Sequence, residues 1–439
     1  MAPEGIRTLD LRGRSLSKSQ YQSVLPRARL DVDAALAAVK PILERVANGD
    51  EGELIKLALE FDGVAPVQVR VPKAAIEKAL AALDPKLKSA LEEAIKRVKR
   101  VHEDQTRNDK TTQVVDGGSV THKWIPVDRV GLYVPGGNAV YPSSVIMNVV
   151  PAQIAKVSSI AIASPPQKDN DGLPNNTILA TCALLGIDEV YAIGGAQAVA
   201  MFAYGVDGVC EAVDMVTGPG NIYVAAAKRA LRGKIAIDSE AGPTEVAVLA
   251  DESAIAREVA ADLISQAEHD VIAAAVLVTP SIELANEVTR ELKKRVSKTK
   301  HEQRIRSALS GEQSAIVLVS DIAQGIDVVN AYAAEHLELQ VKNLDFVAKQ
   351  IRNAGAVFLG RYSPVSLGDY SAGSNHVLPT GGCACHSSGL SVQTFLKGVS
   401  FISYDEKAFK DISENVIRLA KSEDLPAHGE AMSARLEDE

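Results

Sequence analysis

The chain has 439 residues, 46% of them hydrophobic and 23% charged, with a formal net charge of −9. That length exceeds one ordinary core and implies roughly two to four globular domains. No apolar run approaches the roughly 18 residues of a membrane span. The acidic balance, with no basic stripe, argues against a nucleic-acid partner.

Residues 1–28 read as a polar, mildly basic arm, and Met1 to Arg29 lacks the apolar stretch of a signal peptide. Cys182, Cys210, Cys383 and Cys385 are too few over this length for a disulfide framework, so a reducing cytoplasm is the expected compartment. Residues 31–110 have apolar side chains at three- and four-residue spacing, as in Ile76, Leu80, Leu83, Leu87, Leu91, Ile95 and Val98. This predicts helices, with Pro85 separating two of them.

From Trp124 the pattern changes to short β-branched runs alternating with helical stretches. Strands are predicted at 129–134, 160–163, 189–193 and 214–217. They end near the turns Pro135-Gly136-Gly137, Ser164-Pro165-Pro166, Gly194-Gly195-Ala196 and Gly218-Pro219-Gly220. Strand, glycine turn and helix in repetition is the signature of a parallel sheet. Further strands are expected at 234–238, 244–249, 273–279 and 315–319, a helix at 253–269, a charged helical pair over 281–308, and a strand within 351–360. After Ser391 the chain reads as a helical tail.

Glycine turns beyond a parallel sheet suit a dinucleotide phosphate. No turn here has the full G-x-G-x-x-G spacing, and each also reads as a tight strand-to-helix connection. Gln266 and His269 share one face at a helix end and offer an oxygen and a nitrogen to a metal; a helix-capping histidine is the blander reading. Glu335-His336 suits proton transfer or a solvated helix end. Gly368 to His376 is a polar glycine loop of the kind that carries ligands. Glu423 and His428 fall in what also reads as a charged tail. Cys383-Ala384-Cys385-His386 could form half of a zinc site, but there is no second cysteine pair to complete it.

Taken in order, Val130 to Gly137, Gly194 to Ala198, Gly218 to Asn221, Ala241 to Glu245, Ser265 to His269, Glu335 to Leu337, Gly368 to Tyr370, Asn375 to Thr380 and Leu425 to His428 resemble the histidinol dehydrogenase family. The stretch from Cys383 to Leu396 is most like its actinobacterial members. The resemblance implies two NAD-linked oxidations of L-histidinol, through L-histidinal to L-histidine, in a cytoplasmic homodimer. It implies one zinc per subunit on Gln266, His269, Asp369 and His428, with His428 reaching in from the partner subunit. Glu335 and His336 become the acid/base pair: His336 takes the alcohol proton and Glu335 activates water. Tyr133, Gln197 and Asn221 become NAD contacts. Thr244, His376 and Glu423 join Gln266, His269, His336, Asp369 and His428 as substrate contacts. Thr244 stands where Ser is commoner, and Ala334 where Pro is frequent.

The expected fold is therefore α/β, with two Rossmann-like open parallel-sheet domains. Residues 29–132 and 244–390 would form the first, with the metal and the catalytic residues, and 133–243 the second, binding NAD. The arm 1–28 and the tail 391–439 would reach across the dimer. Three rivals remain. A relative oxidising other hydroxylated metabolites would lack part of the imidazole-binding set. A zinc hydrolase using Glu335 as base would not need the nucleotide turns. A non-catalytic metabolite-binding protein would not need an acid/base pair.

Overall fold

A computed structural model of the protein describes residues 5–28, 32–136, 139–239 and 242–437. The chain opens with β1 (Arg7–Asp10) and α1 (Lys18–Val24). Four helices follow, α2 (Val32–Ala47), α3 (Glu51–Asp62), α4 (Lys73–Ala81) and α5 (Pro85–Glu103), then the hairpin β2 (Lys110–Val115) and β3 (Gly118–Pro126). The first α/β run is β4 (Arg129–Tyr133), α6 (Pro142–Ile154), β5 (Ser159–Ser164), α7 (Asn176–Leu184), β6 (Val190–Ala192), α8 (Gly195–Tyr204), β7 (Met215–Thr217), α9 (Ile222–Leu231) and β8 (Ala236–Ile237). The second begins β9 (Glu245–Ala250), α10 (Ala256–Ala267), β10 (Ala274–Thr279), α11 (Ile282–Val296), α12 (Glu302–Ser310) and β11 (Ala315–Leu318). It continues with α13 (Ile322–Tyr332), β12 (His336–Gln340), α14 (Leu344–Ala348), β13 (Ala356–Leu359) and α15 (Val365–Tyr370). The strand β14 (Leu396–Tyr404) and helices α16 (Glu406–Ser422) and α17 (Pro426–Ser433) close the chain.

Each run builds one parallel sheet. The first has the order β6-β5-β4-β7-β8 and the second β11-β10-β9-β12-β13, with β1 added beside β11. In both, the chain builds outward from a central strand, returns, and builds out on the other side. That is the doubly wound pattern expected from the sequence. All residues of β9 and β10 are buried, as strands covered on both faces must be. The third sheet, β14-β3-β2, is antiparallel.

Four expectations need correction. The helices of residues 32–103 were assigned with 244–390, yet α2 packs on α8 and α9, α4 on α7, and α5 on α6, so they cover the first sheet. Their apolar faces complete the cores of residues 130–235. The tail is not all helix. Residues 396–404 pair along their whole length with residues 118–126, and the hairpin partner lies in a polar stretch without clear alternation. The arm expected to reach a partner lies on its own chain: β1 extends the second sheet and α1 packs on α13. The loop expected at 368–376 begins inside α15. Gly137 and Ala241, part of two quoted motifs, lie outside the described residues.

Candidate active site

The second sheet presents the amino ends of its two central strands to the site. Thr244 and Glu245 stand at the start of β9, and Glu335 and His336 at the start of its neighbour β12. The chain reaches β12 through Ala333, which ends α13 in the left-handed region at φ 51°. Close packing follows: a Cβ on Gly355 would lie 2.6 Å from the Glu335 carbonyl oxygen. Glu335 and His336 are therefore buried, 7% and 4% exposed, which overturns the reading of a solvated helix end.

One residue's peptide groups hold both side chains. The Glu245 N–H donates to Glu335 Oε2 at 3.0 Å, and the Glu245 carbonyl lies 3.2 Å from His336 Nδ1. Thr244 donates its hydroxyl to Glu335 Oε2 at 2.6 Å and accepts from Gln266 Nε2 at 2.8 Å. A carbonyl partner fixes the proton on Nδ1, so His336 Nε2 keeps its lone pair. That atom is buried without a hydrogen-bond partner, 3.8 Å from Asp369 Oδ1. Burial pushes the His336 imidazole below its ordinary value against the pull of Asp369, so it is neutral. Burial pushes the Glu335 carboxyl up to about 8.

Gln266 lies in the last turn of α10, and His269 just follows it. Because α10 runs back along the sheet, its carbonyl end meets the amino ends of β9 and β12. Thr244 anchors the Gln266 amide nitrogen and leaves Oε1 buried without a partner. The Asp369 charge acts on His269, His336 and His376 alike, and burial lowers all three imidazoles. Among the described residues, no group of three His, Cys, Asp or Glu side chains is placed to hold a metal. One chain thus brings together an orphaned amide oxygen, one imidazole and one carboxylate, beside a helix end whose partial negative charge favours a cation. His428 and Glu423 are not among them. They lie exposed on the C-terminal helical pair, whose main packing is α17 on α16.

The first sheet faces the site with its carboxyl ends. Tyr133 closes β4, and its hydroxyl accepts from Gly195 N at 3.1 Å. Gln197 is buried and donates to Asp62 at 3.4 Å. Gly218 has φ 117°, and a Cβ there would lie 2.0 Å from the Tyr133 carbonyl oxygen. The buried Lys228 clamps that turn, binding Gly218 O at 2.5 Å and Asp238 at 2.6 Å. Asn221 caps α9 through Tyr223 N and Val224 N, so it serves the helix end as well as lying at the crevice. Tyr133 and the turn from Gly218 to Asn221 flank the point between β4 and β7 where the winding reverses, which is where open sheets bind nucleotides. His376 spans the cleft: Nδ1 lies 3.0 Å from Asp369 O and Nε2 3.3 Å from Ser144 Oγ of α6.

Several residues here escaped the sequence reading. Asp62 accepts from Gln197 and from the Gly194 backbone, and burial pushes its carboxyl up to about 6. Asn375 is held by Met147 O at 2.6 Å and lies 3.4 Å from the buried His102, to which no role was given. Glu338 accepts from Val365 N at 2.9 Å at the start of the helix carrying Asp369, and burial with the nearby Asp262 charge of α10 raises its carboxyl. Asn375 and Glu338 lie within or beside quoted motifs without a role being read for them, and Asp62 stands far from any motif in sequence.

A neutral imidazole and a buried carboxyl thus face the carboxyl edge of a second sheet on a doubly wound scaffold, an arrangement that suits the proton transfers of an oxidoreductase. The family model described as histidinol dehydrogenase matches residues 25–436. The histidinol dehydrogenase of Thermobifida fusca (strain YX) is 61% identical over 431 residues, 98% of each chain. That of Streptomyces avermitilis is 61% identical over 432 residues, again 98% of each. A crystal structure of histidinol dehydrogenase from Elizabethkingia anophelis superposes with a TM-score of 0.90 at 32% identity, covering 99% of this chain and 98% of that one. The chain belongs to the histidinol dehydrogenase family, and it is an oxidoreductase of histidine biosynthesis. Among the described residues, no helix is long and apolar enough to cross a membrane.

Proposed function

We propose that this protein oxidises L-histidinol through L-histidinal to L-histidine, with NAD as oxidant, zinc as resident metal, and the cytoplasm as its compartment. The observation that carries the reading is His336 Nε2, a neutral and unpartnered base buried beside Glu335, Asp369 and the orphaned Gln266 oxygen. When bound, zinc holds the substrate's imidazole and amino nitrogens as a template, and each of two NAD molecules accepts one hydride. Gln266, His269 and Asp369 would hold the metal, with His428 of the partner subunit as fourth ligand; the mixed oxygen and nitrogen set suits zinc.

His336 Nε2 takes the proton of the substrate hydroxyl in the first oxidation, while Glu245 keeps the ring oriented. Glu335 takes the proton of the water that adds to the aldehyde, which requires its carboxyl to be ionised. Thr244 holds Glu335 and Gln266 together through one hydroxyl, and Ser would supply the same two bonds. Tyr133, Gln197 and Asn221 line the proposed NAD crevice. Thr244 and His376, with Glu423 on the C-terminal tail of the partner subunit, would complete the substrate site. Burial of the cleft keeps the reactive aldehyde from bulk water.

The dimer is supported by the exposure of the C-terminal unit. Ile402 is 72% and Leu419 63% exposed, and Phe401, Ile412 and Leu425 are exposed beside Glu423 and His428. Residues 391–439 are accordingly assigned to the partner's site. The test is NADH formed per L-histidinol consumed, with and without a chelator. Two NADH, abolished by chelation and restored by zinc, are expected. A single NADH, or none from zinc-loaded protein, refutes the reading, and an active monomer on sizing refutes the shared site.

A further inference from the structure

Glu245 is the residue through which the acid/base pair is held, and the residue that holds Glu245 comes from the far N-terminus. The Glu245 carboxylate is 2% exposed and accepts from Arg27 NH1 at 2.9 Å and from Gly381 N at 2.6 Å. Arg27 NH2 also donates to the Tyr332 carbonyl, and its guanidinium lies 4.4 Å from the Tyr332 ring centroid. Tyr332 ends α13, three residues before Glu335. One planar fork therefore ties the start of β9 to the turn that delivers Glu335 and His336, a geometry that a lysine ammonium does not reproduce. Arg27 also supplies the positive charge that faces the buried Glu245 carboxyl, which feels the Glu335 charge as well. Removing a cation from such a pair leaves a buried charge uncompensated.

We propose that Arg27 is a positioning residue for proton transfer: through the Glu245 carboxylate it fixes the Glu245 peptide groups that aim His336 Nε2 and hold Glu335. The inference rests on the reading of Glu335 and His336 as the acid/base pair. Arg27 touches neither of them, and it lies outside every motif that marked the family.

The experiment compares Arg27→Met, Arg27→Lys, the double variant Arg27→Met/Glu245→Gln, and His336→Asn as a control, all as zinc-loaded full-length protein. Arg27→Met is expected to lower kcat about tenfold to a hundredfold while KM for histidinol and NAD and the zinc content stay near wild type. The pH limb assigned to Glu335 should move upward, because the Glu245 carboxylate, which interacts with the Glu335 charge, has lost its cation. Arg27→Lys keeps the charge but loses the fork, and should fall between. In the double variant the buried charge is gone and the Gln oxygen still accepts from Gly381 N, so kcat and the limb should move back toward wild type. The double variant and Arg27→Lys keep the test decisive if Arg27→Met folds poorly. Wild-type kcat and profile in Arg27→Met, with His336→Asn crippled, overturn the inference and leave the acid/base reading standing. A fall in kcat with the pH profile unmoved means a merely structural role and overturns it too. Wild-type turnover by His336→Asn sinks the acid/base reading, and this inference with it.

Discussion

The two parallel sheets share one winding order and are used at opposite ends. The sheet of residues 129–237 offers its carboxyl edge, where glycine turns follow β4, β6 and β7. The sheet of residues 245–359 offers its amino edge, where β9 and β12 begin. At the carboxyl edge, helices start and their free N–H groups suit an anionic cofactor. At the amino edge, helices end and their carbonyls suit a cation; α10 finishes there at Gln266 and His269. The same topology thus supplies the proposed nucleotide edge and the proposed metal edge, which face each other across His376 and Ser144.

That division predicts damage confined to one edge at a time. The largest effect belongs to His336→Asn, which removes the base from the amino edge. We expect kcat to fall about a hundredfold to ten-thousandfold, with NAD binding by calorimetry unchanged. Loss of NAD binding would break the separation of the edges. A smaller effect concerns pH. As the proposed base, Glu335 would act only when ionised, and burial pushes its carboxyl up to about 8. Turnover of L-histidinal should therefore rise about tenfold per pH unit below that value and level off above it. A profile that stays flat over about three pH units around that pKa would exclude Glu335 as the base.

The fold was legible where burial imposes a strong pattern. β4, β5, β9 and β10 are near-continuous apolar runs between glycine turns, and their bounds fall within a residue or two of those expected. The hairpin Lys110–Pro126 and β14 were not legible, because they are largely exposed and lack a period-two pattern. At the site, Glu335-His336 and the Gln266/His269 pair stood out as polar residues in register, each with a bland alternative, and the family resemblance gave them roles. Arg27, Asp62 and Glu338 did not: each acts through contacts from distant parts of the chain. The assignment of helices 32–103 failed for the same reason, since helical periodicity says which face is buried but not which sheet buries it.

The nucleotide edge can be damaged separately. Gly218→Ala places a Cβ against the Tyr133 carbonyl at a φ that disfavours any side chain. The Lys228–Asp238 clamp resists the shift that would relieve it. We expect a stability loss of about 1–3 kcal/mol and weaker NAD binding, read by urea unfolding and calorimetry, while zinc content remains that of the unaltered protein. Lost zinc would mean that the two edges do not act independently.

The smallest expected effect concerns the strut under the metal edge. Glu338 on β12 faces Asp262 on α10 electrostatically and caps α15 through Val365 N, so it lies among the three elements that carry His336, Gln266 and Asp369. Two carboxyls in contact share one proton, and burial pushes Glu338 up to about 8 from an ordinary 4.5. The folded chain thus keeps a proton that the unfolded chain releases. The associated stability is complete below about pH 4.5 and is lost as pH rises through about 8. Glu338→Gln carries the donor hydrogen permanently and still accepts from Val365. It should flatten this part of the pH dependence by about 1–2 kcal/mol between mildly acidic and mildly alkaline urea melts, with kcat close to the unaltered enzyme's. An undiminished slope in Glu338→Gln would place the proton elsewhere, and a fall in kcat would mean that the metal edge depends on the carboxyl itself.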